Sequence, residues 1–348
     1  MKQAEAGRDV GMSSTEQDRM FSLRNDVLHL ILLPTEQCNF RCTYCYEDFS
    51  VGRMKPEIIQ GVKRMISNRL GDLRRLKVSW FGGEPLLAIN VVEDISGHIV
   101  SASRGAGLDY SGDITTNGYL LDDAMLDRLT AVGVRDFQIS LDGPEELHNR
   151  TRVRADGRGS FERIWQNLSD IRNSSAPVKV TLRVHVTPEN LSVMPNFLAR
   201  LRDVFLDDDR FSVNLKPVAQ LGGPNDATLK TLDKGTRRQT LARLNAILQT
   251  GENEHPPPDN ACYAARPNSL MIRANGMLGK CTVSLTDPAN DLGRLRPDGT
   301  LEMRNDRLIP WLRGWENGDR QALRCPADGF TLRAPVLLQI GQKPGKDA

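Results

Sequence analysis

The sequence predicts an α/β protein in which parallel strands alternate with helices. The first observation is a series of apolar runs rich in β-forming residues: Leu28–Leu33, Leu76–Phe81, Tyr110–Thr115, Asp136–Leu141, Val178–Val186 and Phe211–Lys216. The second is a set of helical patterns between these runs: Lys55–Leu70, Leu86–Ala102, Asp122–Ala131, Ser160–Asn173 and Ser192–Val204. Strand–helix alternation at intervals of about 30 residues is typical of βαβ units, whose strands pair in parallel.

The bulk composition excludes several classes of function. The 348 residues carry 46 Lys and Arg against 44 Asp and Glu, without a basic block of the kind that binds nucleic acid. No apolar run approaches the ~20 residues of a membrane span, and the polar stretch Met1–Ser22 lacks the apolar core of a signal peptide. The six cysteines therefore predict metal ligands in a reducing, cytoplasmic setting rather than disulfides.

Three cysteines with the spacing C-x3-C-x2-C follow the first apolar run, in the segment Cys38-Asn39-Phe40-Arg41-Cys42-Thr43-Tyr44-Cys45. Their thiolates can converge from one tight loop. A structural zinc site is closed by four protein ligands, and a [4Fe–4S] cluster normally takes four cysteines. Three thiolates therefore leave one iron of a cluster open to a ligand that is not protein. The alternatives are a zinc site completed by a distant histidine, and thiols buried by chance.

Glycines and polar residues follow the next three runs where each strand ends: Trp80-Phe81-Gly82-Gly83-Glu84-Pro85, Thr115-Thr116-Asn117-Gly118 and Ser140-Leu141-Asp142-Gly143. The carboxyl ends of parallel strands are where such folds build their active sites. Gly82 and Gly83 lack a Cβ, so the backbone there can approach a ligand closely or take a positive φ. Glu84 offers an acceptor for an ammonium group. The alternative for this motif is a strand-to-helix turn with a solvated glutamate.

With the aromatic residue Tyr44 before its third cysteine, the cysteine loop resembles the signature of the radical S-adenosylmethionine (radical SAM) superfamily. The resemblance implies a partial (β/α)6 barrel of the TIM type, open on one side to admit a large substrate. It also implies a [4Fe–4S] cluster on Cys38, Cys42 and Cys45, with AdoMet on the open iron. One electron from such a cluster cleaves AdoMet to methionine and a 5′-deoxyadenosyl radical, which abstracts hydrogen from a substrate.

The same resemblance implies cofactor roles for residues around the loop. Tyr44 is expected near the adenine, Gly82-Gly83-Glu84 at the AdoMet amino group, and Ser140 at the ribose or carboxylate. Asn117 is expected to shape the wall of this pocket. Arg152 is a candidate for the AdoMet carboxylate, because an arginine fork pairs well with a carboxylate. A solvated surface arginine is the alternative, and the catalytic base stays unassigned.

The stretch Asp142-Gly143-Pro144, with Arg152 and then Gly157-Arg158-Gly159-Ser160-Phe161, resembles the peptide-modifying branch of the superfamily. These maturases carry a cysteine-rich C-terminal extension called SPASM. The spacing Cys262-x13-Gly276-x4-Cys281 fits the opening half of its signature, in which two cysteines flank a hairpin and ligate an auxiliary [4Fe–4S] cluster.

Cys325 completes a set of three C-terminal cysteines, where a full SPASM domain has seven and two auxiliary clusters. We therefore expect one auxiliary [4Fe–4S] cluster held by Cys262, Cys281 and Cys325. The alternatives are a free thiol at Cys325 and a zinc site or buried pair at the other two. The predicted segments are a polar N-terminal arm (1–25), a radical SAM partial barrel (26–225), a helical linker (226–260), a SPASM-like domain (261–330) and a tail (331–348).

The predicted function is a radical SAM peptide maturase. It would abstract hydrogen from a ribosomal precursor peptide and close a carbon–carbon cyclophane or thioether crosslink. The alternatives are a sulfatase-type maturase that forms formylglycine, and a non-enzymatic iron–sulfur or zinc binding protein. The predicted partners are the peptide and an electron donor such as flavodoxin or ferredoxin. Since the 27 residues before the first strand are too few for a winged-helix leader-binding domain, the leader is expected to bind the open barrel, the N-terminal arm or a separate leader-binding protein.

Overall fold

A ten-stranded, mostly parallel sheet organises the protein, whose computed structural model describes residue 20 and residues 22–248 and 261–329. The predicted tail and most of the predicted N-terminal arm lie outside the described residues. The strands are β1 (Val27–Leu32), β2 (Phe40–Cys42), β3 (Arg75–Trp80), β4 (Asp109–Thr116), β5 (Val134–Leu141), β6 (Arg152–Arg154), β7 (Lys179–Val186), β8 (Phe211–Pro217), β9 (Ser269–Ile272), β10 (Met277–Gly279), β11 (Gly293–Leu295) and β12 (Leu301–Met303). The sheet order is β12-β11-β10-β9-β1-β3-β4-β5-β7-β8.

Helices connect the strands and cover the sheet. They are α1 (Pro56–Ser67), α2 (Ile89–Ala106), α3 (Asp123–Ala131), α4 (Glu145–Thr151), α5 (Phe161–Asn173), α6 (Met194–Phe205), α7 (Arg237–Leu248), α8 (Asn305–Asn317) and α9 (Arg320–Arg324). Each of the five predicted helices is present and begins slightly later than expected. The residue before α3, Asp122, explains one such boundary, because its carboxylate accepts a hydrogen bond from Met125 N at 3.1 Å and caps the helix.

All six predicted apolar runs form strands, and these six pair in parallel in the order β1-β3-β4-β5-β7-β8. The predicted α/β class is therefore confirmed. Parallel strands carry helices on their faces, so their side chains are buried and their sequences read as apolar runs. Leu30 and Val78 are paired neighbours without exposed surface, and Val62 of α1 and Ile164 of α5 belong to the same core.

The C-terminal segment extends this sheet instead of forming a sheet of its own. Strand β9 pairs in parallel with β1, and the strands β10, β11 and β12 continue outward in antiparallel order. The expected hairpin between Cys262 and Cys281 is formed by β9 and β10, with Gly276 at a φ of +81° in its turn. A left-handed φ of this kind favours glycine.

A buried ion pair joins the C-terminal segment to the cysteine loop. Arg273, directly after β9, donates from Nε to Glu36 Oε1 at 3.0 Å, and its Nη2 pairs with Glu36 Oε2. The same guanidinium donates from Nη1 to Leu285 O at 2.8 Å. Both charged side chains are almost completely buried. The pair therefore fixes residues of the extension against the backbone just before Cys38.

None of the helices in the described parts of the chain is long and apolar enough to cross a membrane.

Candidate active site

A cavity of about 470 Å³ opens at the carboxyl ends of the parallel strands. Most of the residues predicted for the site line it: Cys38, Cys42, Tyr44, Cys45, Gly82, Gly83, Asn117, Ser140 and Arg152. Its remaining wall comes partly from β7 and β8 and partly from Tyr263, Thr282 and Val283 of the C-terminal segment. The volume lies in the range of small-molecule and cofactor sites. Glu84 and the three C-terminal cysteines do not line it.

The three thiols of the cysteine loop are presented by a short strand. Strand β2 pairs with β6, which sets Cys42 opposite Arg152, and Cys45 N donates to Cys42 O at 3.1 Å to tighten the loop. All three cysteines are free thiols. Burial raises the pKa of the Cys38 and Cys42 thiols and raises that of Cys45 to about 11. The charge of Cys42 acts on both neighbours, so the three sulfur atoms lie near one another.

Among the residues that the structure describes, no three Cys, His, Asp or Glu side chains converge on a single metal ion. The ligands of an iron–sulfur cluster instead bind separate iron atoms around a larger body. Three thiols spaced around one cavity therefore suit a cluster better than a one-ion site. Cys38, Cys42 and Cys45 fit the ligand set of a [4Fe–4S] group that leaves one iron without a protein ligand.

Gly82 and Gly83 bring the turn after β3 against the cysteine loop. A Cβ on Gly82, whose φ is +119°, would lie 2.3 Å from Thr35 O, and one on Gly83 would lie 2.4 Å from Gln37 O. The two glycines thus permit a backbone-to-backbone approach that a side chain would block. Glu84 N completes the contact by donating to Gln37 O at 2.9 Å. Both glycines line the cavity, so the turn also forms part of its wall.

The structure does not support the expected role of Glu84 as an ammonium acceptor. Its carboxylate is fully buried and faces the end of β4 rather than the cavity. Oε1 accepts from Thr116 Oγ1 at 2.8 Å and from Leu86 N at 3.0 Å, and Oε2 accepts from Asn117 N at 2.7 Å. Burial raises the pKa of this carboxyl, which these bonds partly offset. Glu84 therefore joins two strand ends and caps the turn before α2.

We expect Glu84→Ala to destabilise the fold by about 1–3 kcal/mol, because it leaves buried donors without an acceptor. Glu84→Gln keeps one acceptor oxygen and should cost less. The measurement is the free energy of unfolding from denaturant titration. Glu57→Ala, at an exposed position in the first turn of α1, is the matched control and should stay within ~0.5 kcal/mol of the parent. If Glu84→Ala left the free energy of unfolding unchanged, the structural role would be contradicted and Glu84 would be assigned to ligand binding instead.

Tyr44 is held by a buried network that the sequence did not reveal. Its hydroxyl donates to Asp142 Oδ1 at 2.9 Å and accepts from Arg152 Nη1 at 2.8 Å. His185, at the end of β7, lies with Nδ1 3.0 Å from the same carboxylate oxygen, and Thr151 Oγ1 donates to Asp142 Oδ2 at 2.6 Å. This network fixes the orientation of the Tyr44 ring, which packs at 4.8 Å from the imidazole.

The contact with Asp142 favours one tautomer of His185. Burial opposes ionisation of Asp142, but its bond to His185 and the charge of Arg152 keep the pKa of the carboxyl below its usual value. Burial lowers the pKa of His185, which favours the neutral imidazole. In the tautomer whose Nδ1–H donates to Asp142, the lone pair stays on Nε2. Since His185 lines the cavity, it offers the site a proton acceptor.

Arg152 and Ser140 have the hydrogen-bonding capacity that an anionic ligand needs. Arg152 is buried, its guanidinium lies 5.6 Å from the Phe40 ring centre, and its Nε has no hydrogen-bond partner in the described parts of the chain. A buried donor without an acceptor is rare, and a bound anion would satisfy this atom. Ser140 lines the same cavity at the end of β5. The AdoMet roles expected of both residues stay predictions.

Asn117 has a structural function as well as a place in the cavity wall. Its Nδ2 donates to Asn39 Oδ1 at 2.8 Å, and its Oδ1 accepts from Tyr119 N at 2.9 Å. The side chain thus connects the end of β4 to the cysteine loop. Shaping the wall, as the sequence predicted, is the role that its contacts support.

The three C-terminal cysteines lie together behind the cavity wall. Burial raises the pKa of the Cys262 thiol, and the charges of Cys281 and Cys325 raise it further, so the three are neighbours. Cys325 is exposed, whereas Cys262 and Cys281 are partly buried. The adjacent residues Tyr263 and Thr282 share a hydrogen bond of 2.8 Å and line the cavity. An auxiliary cluster on these thiols stays a prediction.

Known proteins share both the sequence motifs and the fold. Residues 32–201 match the model of the Radical SAM superfamily. The PqqA peptide cyclase of Xanthomonas axonopodis pv. citri is 26% identical over 302 residues, which cover 84% of this chain and 75% of that protein.

Two solved structures resemble this one. Native anSMEcpe with bound AdoMet and Cp18Cys peptide has a TM-score of 0.62 at 19% identity, over 81% of this chain and 80% of that chain. Streptococcus suis SuiB bound to precursor peptide SuiA has a TM-score of 0.55 at 15% identity, over 89% of this chain and 69% of that chain. At these identities the likeness shows a shared fold. The match to the Radical SAM superfamily contains the cysteine loop and all three strand-end motifs, and on this evidence residues 32–201 form a radical SAM domain of an enzyme that uses a [4Fe–4S] cluster and AdoMet.

Proposed function

We propose that this enzyme modifies a ribosomal precursor peptide and closes a crosslink within it. The observation that carries the proposal is the similarity to a PqqA peptide cyclase over 84% of the chain, which reaches beyond the radical SAM domain. The joint cavity supports it, since the C-terminal segment contributes Tyr263, Thr282 and Val283 to the same wall as the cysteine loop. A cavity bounded by both parts of the chain suits a substrate larger than AdoMet alone.

Cys38, Cys42 and Cys45 would hold the cluster, and Tyr44, Ser140 and Arg152 would orient AdoMet beside it. When bound, the cluster would supply the electron that cleaves AdoMet to methionine and a 5′-deoxyadenosyl radical. Arg152 presents a buried, unpartnered Nε to the AdoMet carboxylate. The glycines at 82 and 83 let the turn after β3 lie against the backbone before Cys38 and form part of the cavity wall.

Closing a crosslink removes two hydrogens from the peptide. One leaves as a hydrogen atom to the 5′-deoxyadenosyl radical, and the other leaves as a proton and an electron. His185 is proposed to accept the proton at Nε2, with Asp142 holding its tautomer. Cys262, Cys281 and Cys325 would hold the auxiliary cluster, which would supply an electron acceptor. A cytoplasmic flavodoxin or ferredoxin is the proposed source of the first electron.

The test is anaerobic turnover with AdoMet, a reductant and the short peptides encoded beside the gene. The expected result is 5′-deoxyadenosine together with a peptide lighter by two hydrogens, located by fragmentation mass spectrometry. A cysteine converted to formylglycine would lose its sulfur and react with a hydrazide, which would favour the sulfatase-type alternative. Formation of 5′-deoxyadenosine with no change in any neighbouring peptide would overturn the proposal.

A further inference from the structure

Three cationic side chains line one wall of the cavity without a partner of opposite charge. Arg183 comes from β7, Lys216 from β8 and Arg237 from the start of α7. No ion pair or side-chain hydrogen bond within the described ranges engages any of the three. Most other arginines of the protein that lie near a carboxylate are paired with it, as Arg172 is with Asp207 at 2.7 Å. The wall is therefore rich in cations that no carboxylate of the described residues neutralises.

The three charges are close enough to act on one another. The pKa of Lys216 is lowered first by burial and then by the charges of Arg183 and Arg237, against the opposite effect of the Cys262 and Cys325 thiols. In addition, Arg183 Nε is shielded from solvent and has no acceptor in the described structure. Clustered like charges repel, and a buried donor without an acceptor is unfavourable. A bound anion would relieve both penalties.

No acidic side chain of the cavity neutralises this wall. Glu47 is the one acidic residue among the described residues that line it, and burial raises the pKa of this carboxyl to about 8. Its charged neighbours are Glu36, Arg273 and Asp48 rather than the three cations. The remaining basic lining residue, Arg152, is occupied with Tyr44. The cavity consequently offers a positive surface on the side of β7, β8 and α7.

We propose that Arg183, Lys216 and Arg237 form a subsite that binds the carboxylate of an aspartate or glutamate side chain of the peptide substrate. The inference rests on the proposed function, because it specifies the substrate of the same cavity. Two guanidinium forks and an ammonium group match a carboxylate in charge and in hydrogen-bond geometry. By binding an acidic residue of the peptide, the subsite would determine which nearby peptide residue lies at the end of the cavity where AdoMet binds.

The test compares two labelled pentapeptides, acetyl-Gly-Asp-Trp-Asp-Gly amide and its Asn analogue, by fluorescence anisotropy on the reconstituted protein with AdoMet. The acidic peptide is expected to bind at least about tenfold more tightly, as a charge-assisted contact predicts. A variant with Arg183→Gln, Lys216→Gln and Arg237→Gln should lose this preference. Lys179→Gln removes a cation from the other end of β7 and should keep it.

Equal binding of the two peptides by the parent, or binding of neither, would overturn the subsite. The AdoMet affinity of the triple variant tests whether the three cations bind the AdoMet carboxylate instead of the peptide. A loss of AdoMet binding with an unchanged peptide preference would assign the cations to AdoMet. A drop in iron content with an unchanged preference would assign them to the C-terminal thiols, which also overturns the subsite. Cleavage of AdoMet by the unaltered protein is measured separately, so a failure of the proposed function is recognised on its own.

Discussion

Replacing Cys38, Cys42 and Cys45 together by alanine is expected to abolish the cleavage of AdoMet. The three thiols line one cavity, lie near one another and belong to no disulfide, so all three are available to bind the cluster. The measurement is 5′-deoxyadenosine formed under reducing, anaerobic conditions, together with iron and sulfide analysis. We expect no detectable product and a loss of the iron that the loop holds.

The matched control for the cysteine variant replaces three small polar side chains that lie on helices and do not line the cavity: Ser103→Ala, Thr130→Ala and Ser169→Ala. It should retain both iron and product. A triple cysteine variant that yields as much 5′-deoxyadenosine as the parent would contradict the assignment of the loop as the ligand set.

The second large effect is expected from Arg273→Met, which leaves Glu36 as a buried charge without its partner. Removing one member of a buried ion pair costs about 3–5 kcal/mol, because the remaining charge cannot regain its hydration. The substitution also removes the hydrogen bond to Leu285 O, which leaves that carbonyl oxygen without its donor. The measurement is the free energy of unfolding from denaturant titration. We expect a lower transition midpoint and weaker attachment of the C-terminal segment.

An exposed ion pair of the same segment provides the control. Arg296 and Glu302 pair at 2.7 Å with side chains 56% and 60% exposed, so Arg296→Met should cost less than about 1 kcal/mol. Combining Glu36→Gln with Arg273→Met removes both charges and should recover part of the lost stability. If Arg273→Met cost no more than Arg296→Met, the buried pair would not hold the segment in place.

The strands of the parallel sheet could be predicted because their signal is local. A strand such as Val27–Leu32 is buried over most of its length, and burial selects a run of apolar residues that is visible in any short window. The cysteine loop was likewise predictable, since its three ligands occupy one short segment. Such features depend on residues that are near one another in the chain.

The parts that the sequence did not reveal depend on partners far apart in the chain. His185 has no local feature to distinguish it from a packed histidine, and its function arises from Asp142, 43 positions away. The orientation of Glu84 is set by hydrogen-bond donors at the end of the next strand. Its motif suggested a ligand-binding residue, whereas in the structure its carboxylate connects two strand ends. Arg273 and Glu36 are separated by 237 positions, beyond the reach of any local pattern.

The pairing of β1 with β9 has a consequence for the order in which the protein folds. His29 pairs with Ser269, so β1, the first strand of the described residues, receives its second neighbour only after most of the chain has been synthesised. Until then β1 presents an apolar edge, and an open apolar edge is a template for association with other chains. A nascent or truncated chain that stops before residue 269 keeps that edge open, and we expect it to aggregate.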